Sequence, residues 1–248
     1  MFLILIIRPP LISVSGPLAV FLKTDTKGNL TKTASGPFDG LNLEAKSVVV
    51  FDLIKNGPIF ELNSNVQLPL ASLTKIMTVV IAEETKIKDI SKLADEALMQ
   101  SKNEAAVALA AVNNNFIDLM NRKAEELNLR QTYFLNETGL DVSEQTAGAY
   151  GSANDVARLI IYALKDNPDL FEATTNNSSL NTNPCASTTT LLIASKTGLT
   201  DLAGGNLAVV FDAGLNHPVV SVVLGSSEKG RFIDTQKLID ATFKYLTK

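Results

Sequence analysis

"GNLAVVFDAGLNHPVVSVVLGS", residues 205–226, holds two β-rich apolar runs joined by the turn-like "LNHP". Runs of Val, Ala and Phe of this length, bounded by Gly and Pro, predict two strands of an antiparallel hairpin. A second hairpin lies near the other end of the chain. There "KSVVVFDL" (46–53) and "PIFELN" (58–63) flank "IKNG", with Asn56-Gly57 supplying the turn. Helical patterning fills the interval. It starts at Ser72, where Ile76, Val79 and Val80 recur at three- and four-residue spacing. It continues as an Ala-, Leu- and Glu-rich region from about Ile90 to Leu129. "SANDVARLIIYALKD" (152–166) is a further amphipathic helix, with Ser152 and Asp155 spaced for an N-terminal cap. A polar loop, "TTNNSSLNTNPCASTTT" (174–190), follows, and "EKGRFIDTQKLIDATFKYLT" (228–247) closes the chain as a helix. The economical arrangement is α+β: one antiparallel sheet built from both chain ends, flanked by helices, with a helical lobe inserted at about 85–170.

The 248 residues, 46% of them hydrophobic, suffice for one full-sized core. Net charge is -4 with a pI near 5.1, and no cluster of Lys or Arg stands out. That excludes a nucleic-acid partner, which needs a clustered basic face. One cysteine (Cys185) and one histidine (His217) allow neither an internal disulfide nor a Cys/His zinc site, and no metal or other cofactor is expected. Residues 2–22 are strongly apolar but broken by Arg8, Pro9, Pro10 and Pro17. They read as an export signal or membrane anchor (domain segment 1–22), against a buried or disordered segment as the alternative. Residues 23–40, polar and aperiodic, read as a linker to a domain over 41–248.

Elimination narrows the chemistry. His217, followed by Pro218, reads as a surface turn histidine, and no GxSxG elbow, phosphate loop or GxGxxG fingerprint occurs. A serine nucleophile would therefore need a lysine base with a lowered pKa. "PLASLTKIMT" (69–78) places Ser72 and Lys75 at i and i+3 on one helix face, in apolar surroundings. At the first turn, the Ser72 N–H points outward towards a developing oxyanion. Ser226 and Lys229 share the spacing but lie in a polar loop and helix start. Ser-x-Asn occurs at Ser101-Asn103, Ser152-Asn154 and Ser179-Asn181, the first copy opening a helix of the lobe. Lys-Thr-Gly occurs once, at Lys196-Thr197-Gly198, just before the two C-terminal strands. A Lys and a Thr hydroxyl at a strand edge suit a carboxylate, and the glycine admits close approach of substrate backbone.

SxxK, SxN and KTG in this order resemble the signature set of penicillin-binding proteins and class A β-lactamases. "LPLASLTKIMT", "FLNETGLD", "SANDVARL", "SKTGLTDLAGGNLAVVFD" and "GRFIDTQKLI" together resemble the low-molecular-mass D-alanyl-D-alanine carboxypeptidases over most of residues 41–245. The resemblance implies a β-lactamase/transpeptidase-like fold and removal of the terminal D-alanine from peptidoglycan stem peptides through an acyl-enzyme. It implies that Ser72 is the nucleophile and Lys75 its base. Ser101 would relay a proton to the leaving amine, and Asn103 would hold Lys75 and the substrate amide. Lys196 and Thr197 would bind the terminal carboxylate, with Gly198 shaping the strand edge. The N–H groups of Ser72 and Leu199 would form the oxyanion hole, and Arg231 would add positive field. Stem peptide and β-lactam antibiotics are the implied partners, and an extracytoplasmic location follows, with membrane attachment through residues 1–22.

Two departures stand out. The segment between Ser72 and Ser101, 29 residues, is shorter than is usual in the family, which would either leave the site open or shift Ser101 away from Lys75, weakening or abolishing activity while the fold persists. Glu104 follows Asn103 where the family usually has aspartate. D,D-endopeptidase activity and a catalytically degraded wall-binding protein remain alternatives. A β-lactamase is the weaker one, because "AEELN" (124–128) has Ala124 where the deacylating glutamate should stand.

Overall fold

The structure, a computed structural model, describes residues 32–33, 36–87, 90–187 and 191–247. The segment expected to be a signal or anchor, residues 1–22, lies outside the described residues, as do 23–31, 34 and 35 of the expected linker. Strands β1 (Lys32–Thr33), β2 (Ser47–Asp52), β3 (Gly57–Leu62) and β4 (Leu68–Pro69) lead into a 3-10 turn at Ala71–Thr74. Helices α1 (Lys75–Glu84), α2 (Ile90–Leu98), α3 (Asn103–Ala110) and α4 (Phe116–Glu126) follow. Then come β5 (Tyr133–Phe134), β6 (Ala149–Gly151), α5 (Ala153–Asp166), β7 (Leu192–Thr200), β8 (Gly204–Asp212), β9 (Pro218–Ser226) and α6 (Gly230–Leu246).

The main sheet has the order β1-β3-β2-β9-β8-β7, with every pairing antiparallel. Both expected hairpins are present, and β2 pairs with β9 to join the two chain ends, Val50 facing Ser221. Asn56 takes the left-handed conformation that the tight β2–β3 turn demands (φ 51°). Side chains alternate across the sheet. Val49, Phe51, Ala208, Val210, Val220 and Val222 face the core beneath α1 and α5. Val48, Val50, Leu207, Val209 and Phe211 face a second core beneath α6. Burial on both faces is why these strands read as continuous apolar runs rather than as alternation.

Three expectations change. Within the expected linker Phe38 is fully buried and stacks on Phe60 at a centroid separation of 5.1 Å, while Gly36, Asp39 and Gly40 stay exposed. A lone aromatic in a polar stretch carries no periodicity, yet burying it contributes about 2–3 kcal/mol. The helical region from Ile90 is three helices, with breaks at residues 99–102 and 111–115; the first break carries Ser101. Helix α5 packs on β2 and β9, so it belongs to the sheet layer more than to the lobe. Central helix α1 is buried from Lys75 through Ala82 because it is enclosed by α2–α5. His217 does sit in the β8–β9 turn, but its ring is only a quarter exposed, its Nε2 2.9 Å from Oδ1 of buried Asp52.

Candidate active site

The site is assembled at the junction of α1, the α2–α3 break and edge strand β7. Ser72 lies in the 3-10 turn that precedes α1, immediately after Ala71, which adopts a left-handed φ of 49°. Such a conformation in a non-glycine residue costs of order 1 kcal/mol or more and needs external support. Buried Asn206 of β8 supplies part of it. Its Nδ2 donates to Pro69 O (2.9 Å) and Leu70 O (3.1 Å), while its Oδ1 accepts from Gly225 N–H (2.8 Å). Loop 136–140 supplies the rest. Asn136 Oδ1 accepts from the N–H groups of Thr138 and Gly139, and Thr78 Oγ1 donates to Glu137 O. Gly139 has φ 77°, and a Cβ there would lie 1.9 Å from Ala71 O, so only glycine lets this loop meet the serine turn.

Lys75, completely buried, donates to Ser72 Oγ (2.8 Å), Asn103 Oδ1 (2.8 Å) and Thr138 O (2.9 Å). Burial drives its pKa from 10.5 down to about 8, against the opposing pull of the Glu104 and Glu137 carboxylates. A lysine so poised is partly neutral near neutrality and can take the proton of Ser72.

A second cation faces it. Lys196, 1% exposed, donates to Ser101 Oγ (2.8 Å) and to Thr197 O (2.9 Å). Burial first, then the charges of Lys75 and Arg231, hold its pKa well below the ordinary lysine value. Arg231 at the start of α6 donates through one guanidinium nitrogen to Gly198 O and stacks over Phe232, and its buried Nε has no hydrogen-bond partner among the described residues. Burial lowers its pKa, with Glu228 opposing. Lys196, its charge disfavoured by burial and by Lys75 and Arg231, sits in a site electrostatically suited to a bound anion.

Ser72, Lys75 and Asn103 therefore come together, and Lys196, Thr197, Gly198 and Leu199 lie along β7 with Arg231 behind them. A Cβ on Gly198 would stand 3.2 Å from Ser72 N and 3.0 Å from Leu70 O, which measures how closely β7 passes the serine turn. Ser101 differs. It has a left-handed φ of 59° and makes its hydrogen bond to Lys196, while the three donors of Lys75 go elsewhere. The sequence reading missed Thr138, which contributes only a carbonyl, together with Thr182, Asn206 and the supporting roles of Asn136 and Gly139. The last two fall inside "FLNETGLD", so the signal was on the page without a role attached.

The profile of the D-alanyl-D-alanine carboxypeptidase family, peptidase family S11, matches residues 83–228. The chain belongs to this family. The matched span begins after Ser72 and Lys75, so that pair rests on its own geometry. D-alanyl-D-alanine carboxypeptidase DacA of Escherichia coli is 27% identical over 252 residues, which take in 82% of this chain and 62% of the relative. The chain thus spans about three-fifths of that relative's length. The E. coli D-alanyl-D-alanine endopeptidase is 27% identical over 253 residues, covering 83% of this chain and 78% of the relative. Penicillin-binding protein D2 of Listeria monocytogenes, solved in a cefotaxime-bound form, superposes with a TM-score of 0.74 at 24% identity, covering 82% of this chain and 99% of that one. The fold is that of the penicillin-binding proteins.

Proposed function

We propose that this carboxypeptidase-family protein is a serine D,D-carboxypeptidase that removes the terminal D-alanine from peptidoglycan stem peptides. The carrying observation is Lys75, buried, shifted to a pKa of about 8 and 2.8 Å from the Ser72 hydroxyl. Neutral Lys75 takes the proton as Ser72 Oγ attacks the carbonyl carbon of the penultimate D-alanine. The N–H groups of Ser72 and Leu199 receive the oxyanion. Lys196, Thr197 and Arg231 bind the substrate's terminal carboxylate, which relieves the repulsion among the cations. Ser101 Oγ accepts from Lys196, so it gives its own proton to the leaving amine and takes one from the Lys196 ammonium in return, while the proton held by Lys75 goes back to Ser72 Oγ on deacylation. The C–N bond breaks, D-alanine departs, and water hydrolyses the Ser72 ester to regenerate the hydroxyl. The same serine would acylate with β-lactams, and the cefotaxime complex of the Listeria protein supports that reading.

This substrate places the activity outside the cytoplasm, at the cell wall. No described helix is long and apolar enough to cross a membrane, so attachment would rest on residues 1–22. A second reading, D,D-endopeptidase action on cross-links, uses the same residues and is favoured by the likeness to the E. coli endopeptidase over most of that protein's length. The deciding experiment incubates the protein with a fluorescent penicillin, with a pentapeptide muropeptide and with a cross-linked dimer. Labelling lost in Ser72→Ala, with D-alanine released from the pentapeptide, supports the proposal. Dimer cleavage without D-alanine release selects the endopeptidase, and absence of labelling in folded protein overturns both.

A further inference from the structure

Among the described residues between the 3-10 helix Pro168–Thr175 and β7, Thr182 touches both the α2–α3 break and the strand. On the lobe side, its backbone N–H and its hydroxyl both donate to Met99 O at 3.1 Å, two residues before Ser101. On the strand side, its Oγ1 lies 2.6 Å from Oγ1 of Thr197. The loop is held on either side of this residue. Asn181 Nδ2 donates to Thr174 O and Asn176 O, and Asn181 Oδ1 accepts from Asn183 N–H. Thr182 is therefore a fixed bridge from the α2–α3 break to the strand that carries Lys196 and Thr197.

We infer that Thr182 is a specificity-determining residue that closes the cleft beyond Thr197 and so demands a free α-carboxylate on the leaving residue. The inference rests on the function proposed above. Its chemistry follows from counting protons. The Thr182 hydroxyl has one proton and two acceptors within reach, Met99 O and Thr197 Oγ1. Turning that proton to Thr197 releases the Thr197 proton for an incoming carboxylate, a group that only accepts. Met99 O keeps the Thr182 N–H throughout, so the change leaves no buried carbonyl unpaired. A leaving residue whose carboxyl continues into another peptide bond would have to pass through the bridge. Thr182 positions Thr197 and walls the pocket; it takes no part in bond making or breaking.

One substrate tests this: diacetyl-L-lysine followed by three D-alanines, with products separated as D-alanine and D-alanyl-D-alanine. Their initial ratio is an internal control that loss of folded protein does not move. Wild type is expected to release D-alanine first. Thr182→Ala removes both the hydroxyl and the wall, and should raise the dipeptide share about tenfold, the worth of one good hydrogen bond. Thr182→Ser should restore the wild-type ratio. An active Thr182→Ala enzyme with an unchanged ratio overturns the inference and leaves the proposed function standing. Wild type that releases neither product overturns the proposed function, and the inference falls with it.

Discussion

The proton of Lys75 is the most exposed quantity in this site to experiment. A shift from 10.5 to about 8 lowers the affinity for that proton by about 3 kcal/mol. At pH 7 roughly a tenth of Lys75 is then neutral, against about one in three thousand for an ordinary lysine. Acylation by a penicillin should rise about tenfold per pH unit below pH 8 and level off above it. Burial lowers this pKa, while Glu104 and Glu137 raise it. Removing either carboxylate therefore lowers it further. Glu104 is exposed, so solvent screens its field, and Glu104→Gln should move the rising limb down by roughly half a pH unit. At pH 6.5 that is about a threefold faster acylation, with the plateau little changed and the difference shrinking in high salt. The assay is the second-order rate of labelling by a fluorescent penicillin from pH 5 to 10 at constant ionic strength. A limb that stays put or moves up in Glu104→Gln, or a wild-type limb near 10.5, would refute the assignment of Lys75 as a buried base tuned by these carboxylates.

Lys196 makes a complementary prediction. Its pKa is depressed by burial and by Lys75 and Arg231, so an anionic ligand must raise it; binding of a carboxylate inhibitor should take up protons, seen as a calorimetric enthalpy that changes with the buffer's ionisation enthalpy. Equal enthalpies in two such buffers would mean that Lys196 is already charged. Gly139→Ala should cost about 2–4 kcal/mol, lowering Tm by roughly 5–12 °C, and should suppress Ser72 labelling because the new Cβ collides with Ala71 O. Asn206→Leu keeps the branching at Cγ but strands Gly225 N–H and takes the side-chain donor from Pro69 O and Leu70 O, the latter keeping only the Leu73 N–H. A loss of about 2–4 kcal/mol in denaturant unfolding is expected, with acylation slowed as the serine turn loosens.

The arrangement of the sheet was legible because its central strands are buried on both faces and so are written as unbroken apolar runs, with Asn56-Gly57 marking one turn. Ser152 was legible as a cap, and its Oγ does accept from Asp155 N–H. The Ser72–Lys75 pair was legible for the same local reason, since i and i+3 meet on one helix face. Phe38 was not legible, because a single aromatic among polar residues has no period to reveal which face it covers. Nor was the break in the helical region after residue 98, where Met99–Lys102 turn the chain to present Ser101.

Local periodicity and short-range spacing thus determined most of the secondary elements and the α+β class, while the resemblance of the ordered motifs pointed to the family and to the candidate residues. Which of those residues touch was decided only by tertiary packing. Ser101 meets Lys196 and not Lys75, a backbone carbonyl at Thr138 completes the lysine's shell, and Thr182 bridges two walls far apart in sequence. Such partners lie outside local reach: a carbonyl has no side-chain signature, and one hydroxyl among the many in a polar loop is singled out only by what folds against it.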